Sequence, residues 1–291
     1  MSEAKESFQQ WVPELLRAIH DGRYRPPPIR RVYMPKPGKA EKRPLGIPCV
    51  ADRALQRSVA KVLSAIYEKD FLSCSFGGRP GLSAHHAPAT LTEAIVGRSV
   101  SYVLEADLKN FFGSLEHSWL LRFLECRVGD PRIIKLIRRW LKAGILEEGK
   151  LTPNEIGAPQ GGSVSVLLSN LSLHQVLDLW FERVVKPRLR GEAYLIRHID
   201  DFVICFQYRE DAERVQVVLS QLSKFALALE PSKTKLIRFG RSAQREACTN
   251  GQRAETFSFL GFAHYCTRNR KGDFKLGRKT EKSRLHRSMP G

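Results

Sequence analysis

The spacing of hydrophobic positions changes several times along this chain, and each change marks an element. Phe8 to Ile19 carry a helical spacing that runs toward Pro26-Pro27-Pro28, a rigid stop. Between Ile29 and Ile47 two short runs, IRRVYMPK and RPLGIP, flank PGKAEK, the pattern of a strand, a turn and a second strand. A helix is predicted over Arg53 to Phe71, with Leu55, Val59, Val62, Leu63, Ile66 and Tyr67 on one face and Asp52 as its N-cap. SFGGRPGLS, Ser75 to Ser83, is a loop by its glycines and proline. Ser101 to Phe112, SYVLEADLKNFF, is an apolar run that ends on an acid, Asp107. Helices follow over His117 to Val128 and from Asp130, where Pro131 takes the first position and Ile133, Ile134, Ile137, Trp140 and Leu141 make a stripe. GAPQGG, Gly157 to Gly162, opens a long helix through Leu167, Leu168, Leu171, Leu177 and Trp180, which Pro187 stops.

The next stretch organises the rest. In AYLIRHIDDFVICF, Ala193 to Phe206, two apolar β-branched runs flank adjacent aspartates, Asp200 and Asp201, where a hairpin would reverse. A helix is predicted over Asp211 to Leu229, and EPSKTKLIRF then leads from a turn into a strand. Arg241 to Thr256 is polar and reads as an irregular, mobile loop; FSFLGF and a strand-turn-strand around Asn269 to Gly272 follow. The order predicts an α+β arrangement, with helices covering one face of an antiparallel sheet.

Neighbouring carboxylates repel each other and are costly to desolvate, so Asp200 and Asp201 mark either a solvated turn or a cation site. Asp107, ending a second apolar run, favours the cation. Three carboxylates on adjacent strand ends would suit two divalent metals and phosphoryl transfer. Charge points the same way. Lys and Arg number 48 against 30 Asp and Glu, and +18 calls for a polyanion, most simply nucleic acid, unless the protein is merely basic. Neither an amphipathic basic helix nor a long apolar span suggests a membrane. The hairpin tip with Lys36, Lys39, Lys42 and Arg43 is either a solvated turn or a phosphate contact. Arg79 in the glycine loop could meet a phosphate or template base, or be packed within its loop. GAPQGG lacks the lysine of a P-loop, so triphosphate hydrolysis of that kind is unsupported. Six scattered cysteines without a CxxC pair, and an N-terminus without a secretory h-region, predict reduced thiols in a cytoplasmic protein. Arg268 to Arg287 holds nine Lys or Arg against two acids, a further basic surface.

Seven blocks in order resemble a reverse transcriptase, most closely the group II intron-encoded and group II-like branch. They are the basic hairpin with RPLGIP, SFGGRPGLSAH, ADLKNFF, GAPQGGSVSVLLSN, HIDDF, LEPSKTK and FSFLGF, from about Arg30 to about Lys282. The resemblance implies the fingers and palm of a right-hand polymerase, with an antiparallel palm sheet backed by helices. Its expected parts are fingers with an N-terminal helical extension over 1–100, palm over 101–120, a helical fingers insertion over 121–156, and palm with a basic end over 157–291. It implies RNA-directed DNA polymerase activity, with an RNA template, a DNA primer and dNTPs as partners and a structured intron RNA as a further candidate. By resemblance Asp107, Asp200 and Asp201 are the catalytic acids, and with the Leu108 carbonyl they would hold two Mg²⁺ ions. Lys36 and Arg43 match the triphosphate contacts of the fingers. One of Phe111 and Phe112 would exclude a 2′-hydroxyl, with spacing favouring Phe112 and leaving Phe111 as a buried strand-end aromatic. Gln160 would sit beside the nascent base pair. Lys233 is a candidate proton donor to pyrophosphate or simply a turn lysine. Arg79, His198 and Gly261 (in the primer-grip block) are the nucleic-acid contacts.

The sequence departs from the family pattern at several points. His198-Ile199 replaces Tyr-Ala or Tyr-Ile before the acids, Gly78 stands for a phenylalanine, Leu82 for an arginine, Gly113 for an acid and Val166 for a proline. The thumb that family members carry next is expected to be absent, because the sequence stops near KTEKSRLHRSMPG, and no His and Cys cluster predicts an endonuclease. A second reading is therefore a catalytically weak RNA-binding remnant or splicing (maturase) helper that uses only the basic surface.

Overall fold

The computed structural model describes residues 8–35, 42–158 and 161–281. In chain order its strands are β1 (Ile29–Pro35), β2 (Lys42–Ile47), β3 (Tyr102–Asp107), β4 (Ile145–Glu147), β5 (Lys150–Thr152), β6 (Ala193–His198), β7 (Asp201–Phe206), β8 (Lys235–Arg238), β9 (Phe257–Phe259), β10 (Phe262–Arg268) and β11 (Phe274–Thr280). The described residues fall into two compact units. One holds those up to Lys69 together with Phe112–Leu171; the other holds Asp70–Phe111 together with Ser172 onward.

In the first unit the expected hairpin forms, with β1 and β2 antiparallel from Arg30↔Ile47 to Pro35↔Lys42. β1 also pairs in parallel with β4, giving the order β2-β1-β4-β5. β4 and β5 have only three residues each, too few to show alternation in the sequence. The following helix spans Val50–Tyr67 rather than Arg53 to Phe71. Its N-cap is Cys49, whose Sγ accepts from the Asp52 N–H at 3.4 Å, so Asp52 is not the cap. Asp52 lies inside the first turn and is buried, where the Tyr24 hydroxyl donates to it and Trp140 Nε1 donates to Tyr24 at 3.0 Å. Val59, Leu63 and Tyr67 are buried as expected, but Val62 is 61% exposed.

The next helices span His117–Glu125 and Pro131–Leu141, the latter capped by Asp130 as its proline predicts. Pro131–Leu141 buries Ile134, Ile137, Trp140 and Leu141 and exposes Arg132, Lys135 and Arg138. It is thus an amphipathic basic helix, which corrects the expectation that none is present. Gly157 and Gly161 are required by close backbone approach. A Cβ on Gly157 (φ +90°) would meet the Phe112 carbonyl oxygen at 2.9 Å, and one on Gly161 (φ +115°) the Gly46 carbonyl oxygen at 2.6 Å.

The second unit is built on a four-stranded, wholly antiparallel sheet in the order β6-β7-β3-β8. Val103, Ile196, Val203, Cys205 and Ile237 share one core with Leu91, Ala94 and Ile95 of the helix His86–Gly97 and with Phe257, Phe259 and Leu276 of a second sheet, β11-β10-β9. The intervening residues Leu104, Phe202, Ile204 and Phe206 are buried too, and the helix Arg209–Val218 packs on β3 and β7. Both faces are covered, not one. That is why β7 reads as an unbroken apolar run instead of an alternation.

The helix His86–Gly97 went unpredicted because Ala87, Pro88, Leu91, Ala94 and Ile95 are buried on a segment with little polar contrast. Arg241 to Thr256 is irregular only in its second half: Arg241–Thr249 is a helix that buries only Ala243, and so shows no stripe, while 250–256 form no helix or strand. Ser165–Leu173 continues into wider π-helical turns over His174–Asp178 and Phe181–Val185. The helix expected to Leu229 ends as α at Val218 and tightens to a 3₁₀ turn through Phe225. Among the described residues no helix is long and apolar enough to cross a membrane.

Candidate active site

β3 ends on Asp107, and β7 begins on Asp201. The register of the two strands makes these residues direct Cα partners, about 4.5–5.5 Å apart for an antiparallel pair. Period-2 geometry then puts both side chains on one face of the sheet. Asp200 precedes Asp201 in the two-residue reversal between β6 and β7, whose first residue, Ile199, has φ +61°. The sequence-predicted acids therefore meet at one end of the sheet. Burial pushes the Asp201 carboxyl up to about 7, against a Leu260 N–H donated at 3.3 Å, with Asp107, Asp200 and Glu105 adding like-charge repulsion. Glu105, two residues before Asp107 on the same face, is also raised by burial.

Two basic or neutral groups complete this end of the sheet. Lys233, in the 3₁₀ turn Pro231–Lys233, pairs with Asp107 Oδ2, and this hydrogen bond raises the lysine above its ordinary value. His198, the last residue of β6 and the Cα partner of Asp201, is lowered by burial. Leu108 forms an antiparallel bridge with Leu229, closed by Lys109 N–H to Ala228 O (2.8 Å) and Glu230 N–H to Asp107 O (2.8 Å). Both bonds belong to its neighbours, so the Leu108 carbonyl is not spent on the bridge.

These groups fit a divalent cation in chemistry. The donors are hard oxygens, and Asp201 is a carboxyl whose charged form needs a positive neighbour. Among the described residues no three His, Cys, Asp or Glu side chains stand at mutual ligand distance, and Lys233 supplies the positive charge on Asp107.

The reversal carrying Asp200 is held from behind. Arg197 is fully buried; its Nε and Nη2 donate to the two carboxylate oxygens of Asp178 at 2.7 and 2.6 Å, and Nη2 also donates to Ser75 Oγ at 2.8 Å. Its Nη1 donates to the carbonyl of Ile199 at 2.9 Å. The glycine loop closes on the same turn, since a Cβ on Gly77 would meet Ile199 N at 2.7 Å and His198 C at 2.9 Å. Sequence reasoning missed Arg197, Asp178, Gly77 and the Leu260 amide. An arginine three positions before the acids, inside an apolar strand, was the signal for the first.

The remaining predicted residues are distributed as follows. Phe111 is buried at 2% exposure and Phe112 is half-buried, which assigns the packing role to Phe111. Arg79 staples its own loop: Nη1 donates to the carbonyls of Leu72 and Ser75 at 2.8 Å each, and the guanidinium lies 5.4 Å over Phe71. Gly261 (φ +78°) and Leu260 (φ +53°) form the β9–β10 turn beside Asp201. Arg43 lies on β2 opposite Met34. Lys36 and Gln160 lie outside the described residues.

Comparison with known proteins agrees with this architecture. The reverse transcriptase (RNA-dependent DNA polymerase) family matches residues 34–264. Protein YkfC of Escherichia coli (strain K12) is 37% identical over 177 residues, covering 60% of this chain and 46% of that protein. The group II intron-encoded protein LtrA of Lactococcus lactis subsp. cremoris is 33% identical over 190 residues, 63% of this chain and 31% of that protein. The chain spans less than half the length of either relative. Telomerase from Candida albicans, solved with a TWJ fragment of telomeric RNA, superposes with a TM-score of 0.64 at 14% identity, over 96% of this chain and 50% of that one. Apo telomerase from Candida tropicalis, truncated from its C-terminal domain, gives 0.61 at 15% identity, over 86% of this chain and 55% of that one. At such identity the likeness speaks for the fold alone.

Proposed function

Because the chain belongs to the reverse transcriptase family, we propose that it is an RNA-directed DNA polymerase, transferring nucleotides from dNTPs to a primer 3′-end on an RNA template. We assign the palm to the unit with β3, β6, β7 and β8, and the fingers to the unit with the β1–β2 hairpin. The observation that carries the reading is the pairing of Asp107 with Asp201 across β3 and β7, with Asp200 in the adjoining reversal.

Asp107, Asp200, Asp201 and the Leu108 carbonyl would hold two magnesium ions. Bound there, the ions would lower the pKa of a primer 3′-hydroxyl and offset charge on the reacting phosphorus and the departing pyrophosphate. The protein's own groups have separate tasks. The Leu260 N–H holds the Asp201 carboxylate in place, and Arg197 fixes the carbonyl on which the Asp200 reversal turns. Lys233 lends its charge to Asp107 and, once released from it, would donate a proton to pyrophosphate. Phe112, the less buried of the two aromatics, is the candidate to exclude a 2′-hydroxyl, while Lys36, Arg43 and Gln160 are the candidate contacts to the incoming nucleotide.

Primer extension on an RNA template with Mg²⁺, run with wild type and Asp200→Ala in parallel, tests this. Extension by the wild type and its loss in the variant are expected. RNA binding that both share, with no extension by either, would assign the helper role instead.

A further inference from the structure

The sheet that ends on the acids has a second end, and it opens on a strongly basic cavity. Tyr102 begins β3 and Asp107 ends it, five residue steps or about 17 Å away. Around Tyr102 lies a cavity of 710 Å³ lined by Arg98, Arg209, Arg238, Arg241 and Arg245, with Glu210 the one acid in its lining. Its walls come from the C-cap of the helix His86–Gly97, the residues after β7, the end of β8 and the first turns of the helix Arg241–Thr249. Arg241 and Arg245, four residues apart, share a helix face.

The arginines differ in what they already hold. Arg209 pairs with Glu213 at 2.8 Å and Arg238 with Glu246, both at exposed positions where such pairs are weak and exchange readily for another anion. Arg241 donates to the Val96 carbonyl at 2.7 Å. Arg98 and Arg245 are exposed and have no carboxylate partner among the described residues. Guanidinium forks of this kind match phosphate oxygens. The cavity also presents an aromatic: Tyr208 is 41% exposed, and the Arg190 guanidinium lies 5.7 Å over its ring. Positive charge strung around an exposed ring suits a flexible strand, whose phosphates meet arginine while a base stacks. A compact anion would need only the arginines, and a duplex hides its base faces.

We propose that this cavity binds a single-stranded polynucleotide segment at a site separate from the acids. The site does not depend on polymerase activity, since none of its residues lies at the Asp107 end of the sheet. It would let the protein hold one part of a nucleic acid while another part occupies the opposite end.

The test uses the full chain and fluorescein-labelled twelve-nucleotide oligo(U) and oligo(dT), with anisotropy titrations over a range of salt. Arg98→Ala/Arg245→Ala should flatten the slope of log K against log salt by about 1.4, two single-strand phosphate contacts at ~0.7 each. Tyr208→Ala should weaken binding at least fivefold, within the range for one lost stack. A 4-thiouridine-substituted oligomer should cross-link to the peptide containing Tyr208. Unaltered melting temperatures would show that these exposed substitutions leave the fold intact, and extension of a short pre-annealed primer-template should be unchanged in both variants. The oligomer bound more tightly, RNA or DNA, identifies the strand held. A wild-type salt slope in the double variant, or cross-links confined to peptides near Asp107 and Asp200, would overturn the proposal. So would inorganic tripolyphosphate competing as well as an oligomer of equal charge.

Discussion

Replacing Arg197 by methionine tests how the aspartate reversal is held. The substitution removes the guanidinium that donates to both carboxylate oxygens of Asp178, at a place where both side chains are wholly buried and burial lowers the nearby His174 ring, 3.9 Å from Asp178. Removing one partner of a buried pair leaves the other charge without compensation and costs about 3–5 kcal/mol. Ser75 Oγ and the Ile199 carbonyl lose a donor as well, which places the expectation at the upper part of that range. At roughly 2–4 °C per kcal/mol for a body of this size, melting should fall by ~6–20 °C. Thermal and urea denaturation read this directly. The double variant Arg197→Met/Asp178→Leu removes both charges, and apolar replacement of a whole buried pair is often neutral or better. It should recover most of the lost stability. It should not recover primer extension at a temperature where it is folded, because the Ile199 carbonyl still lacks its donor and Asp200 follows it directly. A loss under about 1 kcal/mol in the single variant would refute the buried-pair reasoning, and full extension by the double variant would refute the positioning role.

Three further outcomes follow from other parts of the molecule. His264 on β10 is fully buried, stacks on Phe257 at 4.9 Å, and finds no hydrogen-bond partner for either ring nitrogen among the described residues; burial and the facing Arg278 lower it to about 4. The unfolded chain takes up that proton first, so stability should fall by up to ~3 kcal/mol as pH drops from about 6.5 to about 4, and His264→Phe should remove this slope in urea titrations. Gly77→Ala forces a methyl group into the backbone of the aspartate reversal; a loss of about 1–3 kcal/mol with reduced extension is expected, and wild-type behaviour in both would contradict the close approach. Tyr24→Phe leaves buried Asp52 and Trp140 Nε1 without their shared hydroxyl; calorimetry should show a loss of about 1–3 kcal/mol, and none would mean that water replaces it.

Much of the site was legible because its signals are local. Adjacent acids between two apolar runs can occupy little other than a strand reversal, and an acid closing a third run points to the neighbouring strand end. The fold was legible where the periodicity had contrast, as in the helix Pro131–Leu141, and illegible where it did not. The helix His86–Gly97 has too few polar residues to show a stripe, and Arg241–Thr249 buries too little to need one. Asp52 looked like a cap by residue type, but its carboxylate was claimed by Tyr24, which is 28 positions away in sequence. The Arg197 network was hidden for the same reason. Its partners at Ser75, Asp178 and Ile199 come from three separate segments, and no window of sequence contains them all. Arg79 shows the converse: its two carbonyl partners lie four and seven residues back, so packing was the local answer.

Since β6 and β7 are joined by only two residues, the ladder between them has no slack to absorb a change in length. A single residue inserted into or deleted from either strand inverts its parity, so that every side chain beyond the edit trades sheet faces with its neighbours. Asp201 would then turn away from Asp107 toward the Phe202 side. Length polymorphism should be tolerated in the segments between helices and forbidden between Ala193 and Phe206, whatever residues are substituted there.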